Sequence, residues 1–323
     1  MAKGGISAGL GVNESAKAPK NRINKKVLKN QKTLVLMSVP FAIYAIIFSY
    51  VPLFGWIMAF QNYKPKDGLL HSKFVGLQKF ERLFGDDIFL KVIRNTFCMG
   101  AMNLIFGTVC AILFAILLNE FWSVKGKKAV QTISYLPHFL SWIIVTGICF
   151  DVLAMENGVL NDVLVGLHII DAPINWLAYP KYFWWIVTFS NLWKETGWNS
   201  VIYLAAITSI NPDLYEAASI DGAGRLSKIW HITLPGLKPT IMILLIMNIG
   251  NVLNAGFEVQ YLLGNGLVQS VAQTIDIYVL KFGISNGDYS IGTAAGIFKS
   301  VVSIALIAIA NRASKLMGEE SLF

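Results

Sequence analysis

NPDLYEAASIDGAGRLSKIWHITLP, Asn211–Pro235, separates two long apolar runs, Tyr182–Ile210 and Leu237–Leu263. The stretch is too polar to cross a bilayer, so it must lie at the surface between two spans. Its start reads as a helix N-terminus: Asn211 can cap, Pro212 suits the first helical position, and Asp213 complements the helix dipole. Leu214, Ala217, Ala218 and Asp221 then fall on or near one helical face. Gly222 and Gly224 loosen the backbone before a second short turn that carries Ile229, Trp230 and Ile232. Leu234-Pro235 closes that turn and Pro239 follows, so the next span is expected to begin cleanly, near residue 237. The pattern predicts a helix–turn–helix elbow at a membrane surface, open to a soluble partner.

Working outward, the 323 residues are 55% hydrophobic and 14% charged, too little charge to cover a water-soluble domain of this size. Apolar runs of about 20 residues read as membrane spans. About six are expected, near 33–60, 95–119, 129–153, 182–210, 237–263 and 290–311, giving an all-α integral membrane protein. Pro40 and Pro52 mark the first span, and Pro137 breaks the third early. The domain boundaries follow as a basic tail 1–32, a transmembrane domain 33–312 and a C-terminal tail 313–323.

The net charge of +8 is concentrated at the start, with eight Lys or Arg residues before the first span. A basic leader without interleaved aromatics is a positive-inside signal, attractive to anionic lipid, and not a nucleic-acid patch. An N-in topology puts 16 basic residues inside and 9 outside, although the outside segment 61–94 holds seven. Both termini and the elbow are therefore expected in the cytoplasm, in a multi-pass cell-membrane protein.

Cys98, Cys110 and Cys149 lie in or beside apolar runs without paired spacing and are read as buried free thiols. His71, His138, His168 and His231 show no ligand spacing, so no metal is expected. Gly126-Lys127-Lys128 lacks both the hydroxyl and the earlier glycine of a phosphate-binding loop, and no hydrolase motif occurs. The chain reads as a non-enzyme; any ATP hydrolysis belongs to another chain.

Ionisable side chains inside spans are costly and mark function by default. Lys194 and Glu195 lie mid-way along the fourth span and Lys299 within the sixth. Asn191, Glu195 and Asn199 recur every four residues, and Asn248, Asn251, Asn254 and Glu258 step by three, three and four. Because these two spans run in opposite directions, Asn191–Glu195 and Asn248–Asn254 are expected to meet at similar depth. Facing stripes would line a passage for a hydroxyl-rich solute, or they would hold helices together. Trp193 and Trp198 could stack on sugar rings, although packing is the commoner role.

Glu216-Ala217-Ala218, three residues, Gly222, nine residues, Ile232, one residue and Leu234-Pro235 resembles the EAA loop of ABC importer permeases. Phe74-Val75-Gly76-Leu77, Tyr135-Leu136-Pro137-His138-Phe139 and Trp193-Lys194-Glu195-Thr196-Gly197-Trp198-Asn199 are similar to the polysaccharide- and oligosaccharide-type members. So are Phe298-Lys299-Ser300 and the tail Gly318–Phe323. The resemblance implies a MetI-like permease fold with a cytoplasmic coupling helix. It assigns ATPase coupling to Tyr215, Glu216, Ala217, Ala218, Asp221, Gly222, Ala223, Gly224 and Arg225. It further implies two ATP-binding subunits carrying ATP-Mg, a second homologous permease, an extracellular solute-binding lipoprotein, and a sugar substrate moved by alternating access. Two other readings stay open. One is an ion-coupled carrier using Lys194, Glu195, Glu258 and Lys299 as relays; the other is a non-transporting scaffold.

Overall fold

The computed structural model describes residues 32–316 and 318. The basic tail through residue 31, and the resemblance carried by residues 319–323, lie outside the described residues. The chain divides into two compact units between Phe54 and Gly55. In the first, helix α1 (Lys32–Ala45) holds Pro40 and buries no residue. It passes into a π turn, Ile46–Tyr50. Pro52 follows one residue later; a proline ring crowds the carbonyl of the preceding turn, and a widened turn absorbs that clash.

The second unit begins with a two-residue antiparallel hairpin, β1 (Gln61–Asn62) against β2 (Lys73–Phe74), and the short helix α2 (Gln78–Phe84). Helix α3 (Asp87–Asn119) starts where the Asp86 side chain accepts from Ile88 N at 2.9 Å. Helix α4 (Val124–Tyr135) leads through a 3-10 turn, Leu136–Phe139, into α5 (Trp142–Val152), at a bend of 102°. Pro137 is the second residue of that turn, and Ser141 caps α5 by accepting from Ile144 N, so one span becomes two helices. Then come α6 (Val159–Gly166), α7 (Pro180–Thr208), α8 (Pro212–Ile220) and α9 (Arg225–Ile249). Helix α10 (Glu258–Leu263), helix α11 (Ile275–Tyr278) with its π extension Val279–Ser285, and α12 (Tyr289–Leu316) complete the unit.

By length and apolarity, four stretches can cross a membrane: Lys32–Phe60, α3, α9 and α12; the bent α4–α5 pair is a fifth. Helix α7 has the length, 29 residues, but its polar side chains leave it less apolar than these.

Several expected boundaries need correction. The fifth span is not 237–263: its helix begins at Arg225 and ends at Ile249. Leu234-Pro235 does not close a turn, because a π turn over Ile229–Thr233 widens the helix and carries it past both prolines. At the far end, Gly250, Asn251 and Asn254 are poor helix formers, and Gly256 sits at φ +101°, so the helix cannot continue. Residues 264–289, between the expected fifth and sixth spans, contain α11 and the short helix Gln269–Ala272. The C-terminal tail expected from residue 313 is still helical to Leu316. The three cysteines are free thiols, as read, but half-buried; Cys149 Sγ lies 3.2 Å from Ser190 Oγ.

Helix α3 is the spine. Near its start Phe89 and Val92 pack with Ile275, Tyr278, Ile291 and Ala294. One level on, Met99 meets Phe183, Val187, Ala255 and Val259. Further on, Ala111, Ala115 and Leu118 meet Tyr203, Ile207 and Leu237. The order of these layers makes α7 parallel to α3 and α9 antiparallel to both. The turn after α9 presses on α3 at Gly100, where an added Cβ would stand 1.8 Å from the Val252 carbonyl oxygen. Only glycine fits there. Around the start of α12, Asp288 pairs with Lys79 at 3.2 Å and Arg82 at 3.3 Å, and Ser290 Oγ donates to Gln61 O.

Candidate functional site

The elbow is built as its sequence dictates. Asn211 Oδ1 accepts from Asp213 N at 3.0 Å, and Pro212 opens α8, none of whose residues is buried. The helix ends on Gly222 at φ +79°, with Gly222 N donating to Ser219 O and Ala223 N to Ala218 O at 2.8 Å. This is the left-handed closure that glycine permits. Gly224 then precedes α9 in extended backbone.

Two contacts fasten α8 to α9. Tyr215 OH lies 3.0 Å from Thr233 Oγ1 inside the π turn, and Lys228 Nζ donates to Ser219 Oγ at 2.6 Å. Arg225 does not reach Asp221; its guanidinium lies over the Trp122 ring, 5.3 Å from the centroid, tying the elbow to the loop before α4. Glu216, Ala217 and Asp221 face outward, Ala218 and Ala223 are half-buried, and Ile220, Leu226 and Trp230 are largely exposed. The elbow thus offers a mixed apolar and acidic face on a rigid base.

Four of the nine intramembrane residues share one hollow. Asn199, Asn248, Asn251 and Asn254 line a cavity of about 300 Å³ with Asn103, Thr108 and Tyr203. The last three asparagines do not form a helical stripe. Asn248 stands in the last turn of α9, Asn251 and Asn254 lie beyond its end, and the turn wraps them round the hollow, with Asn254 Nδ2 donating to Asn251 Oδ1 at 3.0 Å. Asn103, on α3, went unnoticed in the sequence, as one polar residue in an apolar run. Its Oδ1 is buried without a hydrogen-bond partner among the described residues. A buried amide oxygen left so costs about 1–3 kcal/mol, and a hydroxyl in the hollow would relieve it.

The other five lie elsewhere. Asn191 Nδ2 donates to Val187 O of its own helix. Glu195 points to the α4–α5 break: its Oε2 lies 2.7 Å from His138 Nδ1 and its Oε1 3.3 Å from Lys194 Nζ. Lys194 is 5% exposed, donates to His138 O, and sits 5.5 Å from the Trp142 ring centroid. Trp198 stacks on the His138 ring, centroids 4.4 Å apart and planes 1° apart. Trp193 lines a separate apolar hollow with Trp185 and Phe189. Steps of four drift about 40° per step on a 100° helix, so Asn191 and Asn199 part company by about 80°. The expected meeting of Asn191–Glu195 with Asn248–Asn254 therefore fails; Asn199 takes that place. Lys299 pairs with Asp276 at 2.6 and 2.8 Å, and Glu258 is exposed at the start of α10.

Residues 33–318 match the family model described as binding-protein-dependent transport system inner membrane component. The chain is 43% identical over 307 residues to the polygalacturonan/rhamnogalacturonan transport system permease protein YteP of Bacillus subtilis (strain 168), covering 95% of each. It is 41% identical over 296 residues to protein LplB of the same organism, covering 92% of each. A solved bacterial ABC transporter involved in the import of the acidic polysaccharide alginate contains a similar chain. That chain superposes with a TM-score of 0.82 at 39% identity, covering 90% of this chain and 98% of that one. A second alginate transporter structure, in complex with an alginate pentasaccharide-bound periplasmic protein, gives a TM-score of 0.84 at 38% identity, covering 92% and 99%.

Proposed function

The chain belongs to the family of binding-protein-dependent transport system inner membrane components, and from that premise we propose that it passes an oligosaccharide across the cell membrane by alternating access. The observation that carries the mechanism is the path of α9. Its first turns are fastened to α8 through Thr233 and Lys228, and its last residues enter the asparagine-lined hollow. At 1.5 Å per residue the whole of α9 is a rod about 37 Å long, of which about 22 Å lies between Thr233 and Asn248. Displacement of the elbow is delivered to the hollow with little loss.

In this reading an ATP-binding subunit grips α8 and the Gly222 turn, with Tyr215, Glu216, Ala217, Ala218, Asp221, Ala223, Gly224 and Arg225 forming or supporting the contact. The ATPase carries ATP-Mg; this chain holds no cofactor. A second permease completes the passage, a solute-binding lipoprotein delivers the sugar, and both termini and the elbow face the cytoplasm. Asn103, Asn199, Asn248, Asn251 and Asn254 offer amide donors and acceptors to sugar hydroxyls, whereas Lys194, Glu195 and Lys299 are paired and serve the scaffold. The oligosaccharide class is supported by the polygalacturonan/rhamnogalacturonan permease among the relatives.

The test is uptake by the complex reconstituted with its ATPase, comparing wild type with Gly222→Val. A β-branched residue at φ +79° is strained, yet nothing lies within 4 Å to clash, so the protein should fold. The expected result is ATP hydrolysis without uptake in the variant. Uptake that survives ATP depletion and collapses with an uncoupler would replace this mechanism with an ion-coupled carrier.

A further inference from the structure

A second polar hollow, of about 400 Å³, lies between α10, the short helix Gln269–Ala272 and the π turn that follows α11. Residues Ala255 to Gln260 separate it from the asparagine hollow: Ala255 lines one and Gln260 the other. Four side chains give this hollow its chemistry. Tyr261 lies nearly parallel to Phe257, centroids 5.2 Å apart and planes at 16°, which holds the ring as a rigid platform. Gln273 is 6% exposed. Its backbone carbonyl accepts from Asn95 Nδ2, but its side-chain amide makes no hydrogen bond among the described residues. Gln269 is exposed at the rim. Lys281 is half-buried and takes part in no ion pair among the described residues, unlike Lys79, Lys194 and Lys299.

Each feature points to one kind of ligand. An aromatic face takes the C–H side of a pyranose ring, and free amides take hydroxyls in both senses. A half-buried ammonium with no counter-charge favours an anion, and a charge-assisted hydrogen bond to a carboxylate is about twice as strong as a neutral one. A neutral sugar satisfies the amides and leaves Lys281 uncompensated. A lipid phosphate satisfies Lys281 and makes no use of the Gln273 amide. A sugar bearing a carboxylate satisfies both.

We propose that this hollow is a saccharide subsite selective for acidic sugars, binding the carboxylate of a uronic acid residue on Lys281 and its hydroxyls on Gln269 and Gln273, with the ring against Tyr261. The proposal rests on the oligosaccharide-import reading above and narrows its substrate to acidic chains.

The experiment is equilibrium binding of trigalacturonate and of maltotriose to the assembled complex in nanodiscs of zwitterionic lipid. Trigalacturonate should bind the more tightly, and the difference should shrink as salt is raised. Lys281→Met should weaken trigalacturonate about tenfold, or ~1.4 kcal/mol, without changing maltotriose. Lys281→Arg should restore most of the loss, which separates charge recognition from misfolding. Gln273→Leu should weaken both sugars. Unchanged trigalacturonate affinity in Lys281→Met overturns the subsite. So does binding of neither sugar by a wild-type complex that still imports oligosaccharide. Displacement of trigalacturonate by added phosphatidylglycerol, lost in Lys281→Met, assigns Lys281 to lipid and overturns the subsite too. Absence of ATP-driven oligosaccharide uptake by the wild-type complex defeats the import reading instead.

Discussion

Glu195, a candidate for the solute path by sequence, has partners within the fold on both carboxylate oxygens. It stands on the helix that carries Asn199 to the hollow, next to a lysine, in a segment where charge is expensive. Its surroundings account for it fully: His138 on one oxygen, Lys194 on the other, and Trp198 stacked on the His138 ring. Lys194 is nearly buried, so the carboxylate is its only anionic neighbour among the paired groups described. Glu195→Ala should therefore lower the melting temperature of the detergent-solubilised protein, because an uncompensated ammonium is left behind; the cost is on the order of 3 kcal/mol. Glu195→Gln keeps an acceptor for His138 or Lys194 and should lose distinctly less. Oligosaccharide uptake per folded molecule should hold in both. Abolished uptake at unchanged melting temperature would place Glu195 against the solute instead.

At the scale of elements, α8 and α9 act as one piece only if their fastening holds. Tyr215 OH to Thr233 Oγ1 is a single neutral hydrogen bond, worth about 0.5–1.5 kcal/mol, but it joins α8 to the π turn itself. Tyr215→Phe should keep the ATPase bound and hydrolysing while lowering the sugar moved per ATP by a few-fold. Loss of ATPase binding would show that the hydroxyl faces the partner and not α9.

How much of this was legible depended on whether the information was local. Asn211 capping, Pro212 at the first position and a turn at Gly222 follow from neighbours in sequence, and the elbow was legible as far as that turn. The Pro137 break was read too, though not its right angle, which needs Ser141 to start a new helix at once. The course of α9 was misread because prolines signal an end to a helix, whereas a π turn lets this one run through. The partners of ions were hidden for a different reason. Asp276 and Lys299, or His138 and Glu195, are separated by 23 and 57 positions, and no periodicity links them. Asn103 could have been found by asking which polar residue on α3 faces Asn199, but only after knowing that α3 and α7 run parallel.

Over the whole molecule the remaining question is which side of the membrane the elbow faces. The basic count favours the cytoplasm by 16 to 9, and its weak point is the seven basic residues of segment 61–94. Lys79 and Arg82, two of those seven, are paired with Asp288 at the start of α12. Segment 61–94 and the turn 286–288 therefore share one side, and part of the contrary signal is neutralised within the fold. Asn286 and Ser219 are both exposed, the first on that turn and the second on α8. In a background with Cys98, Cys110 and Cys149 replaced by alanine, single substitutions Asn286→Cys and Ser219→Cys report the two faces. A membrane-impermeant maleimide should label Asn286→Cys in intact cells, and Ser219→Cys only in inside-out vesicles. The opposite pattern would hold α8 away from cytoplasmic ATP. No ATPase could then grip it, and the rod from Thr233 to the asparagine hollow would have nothing to drive it.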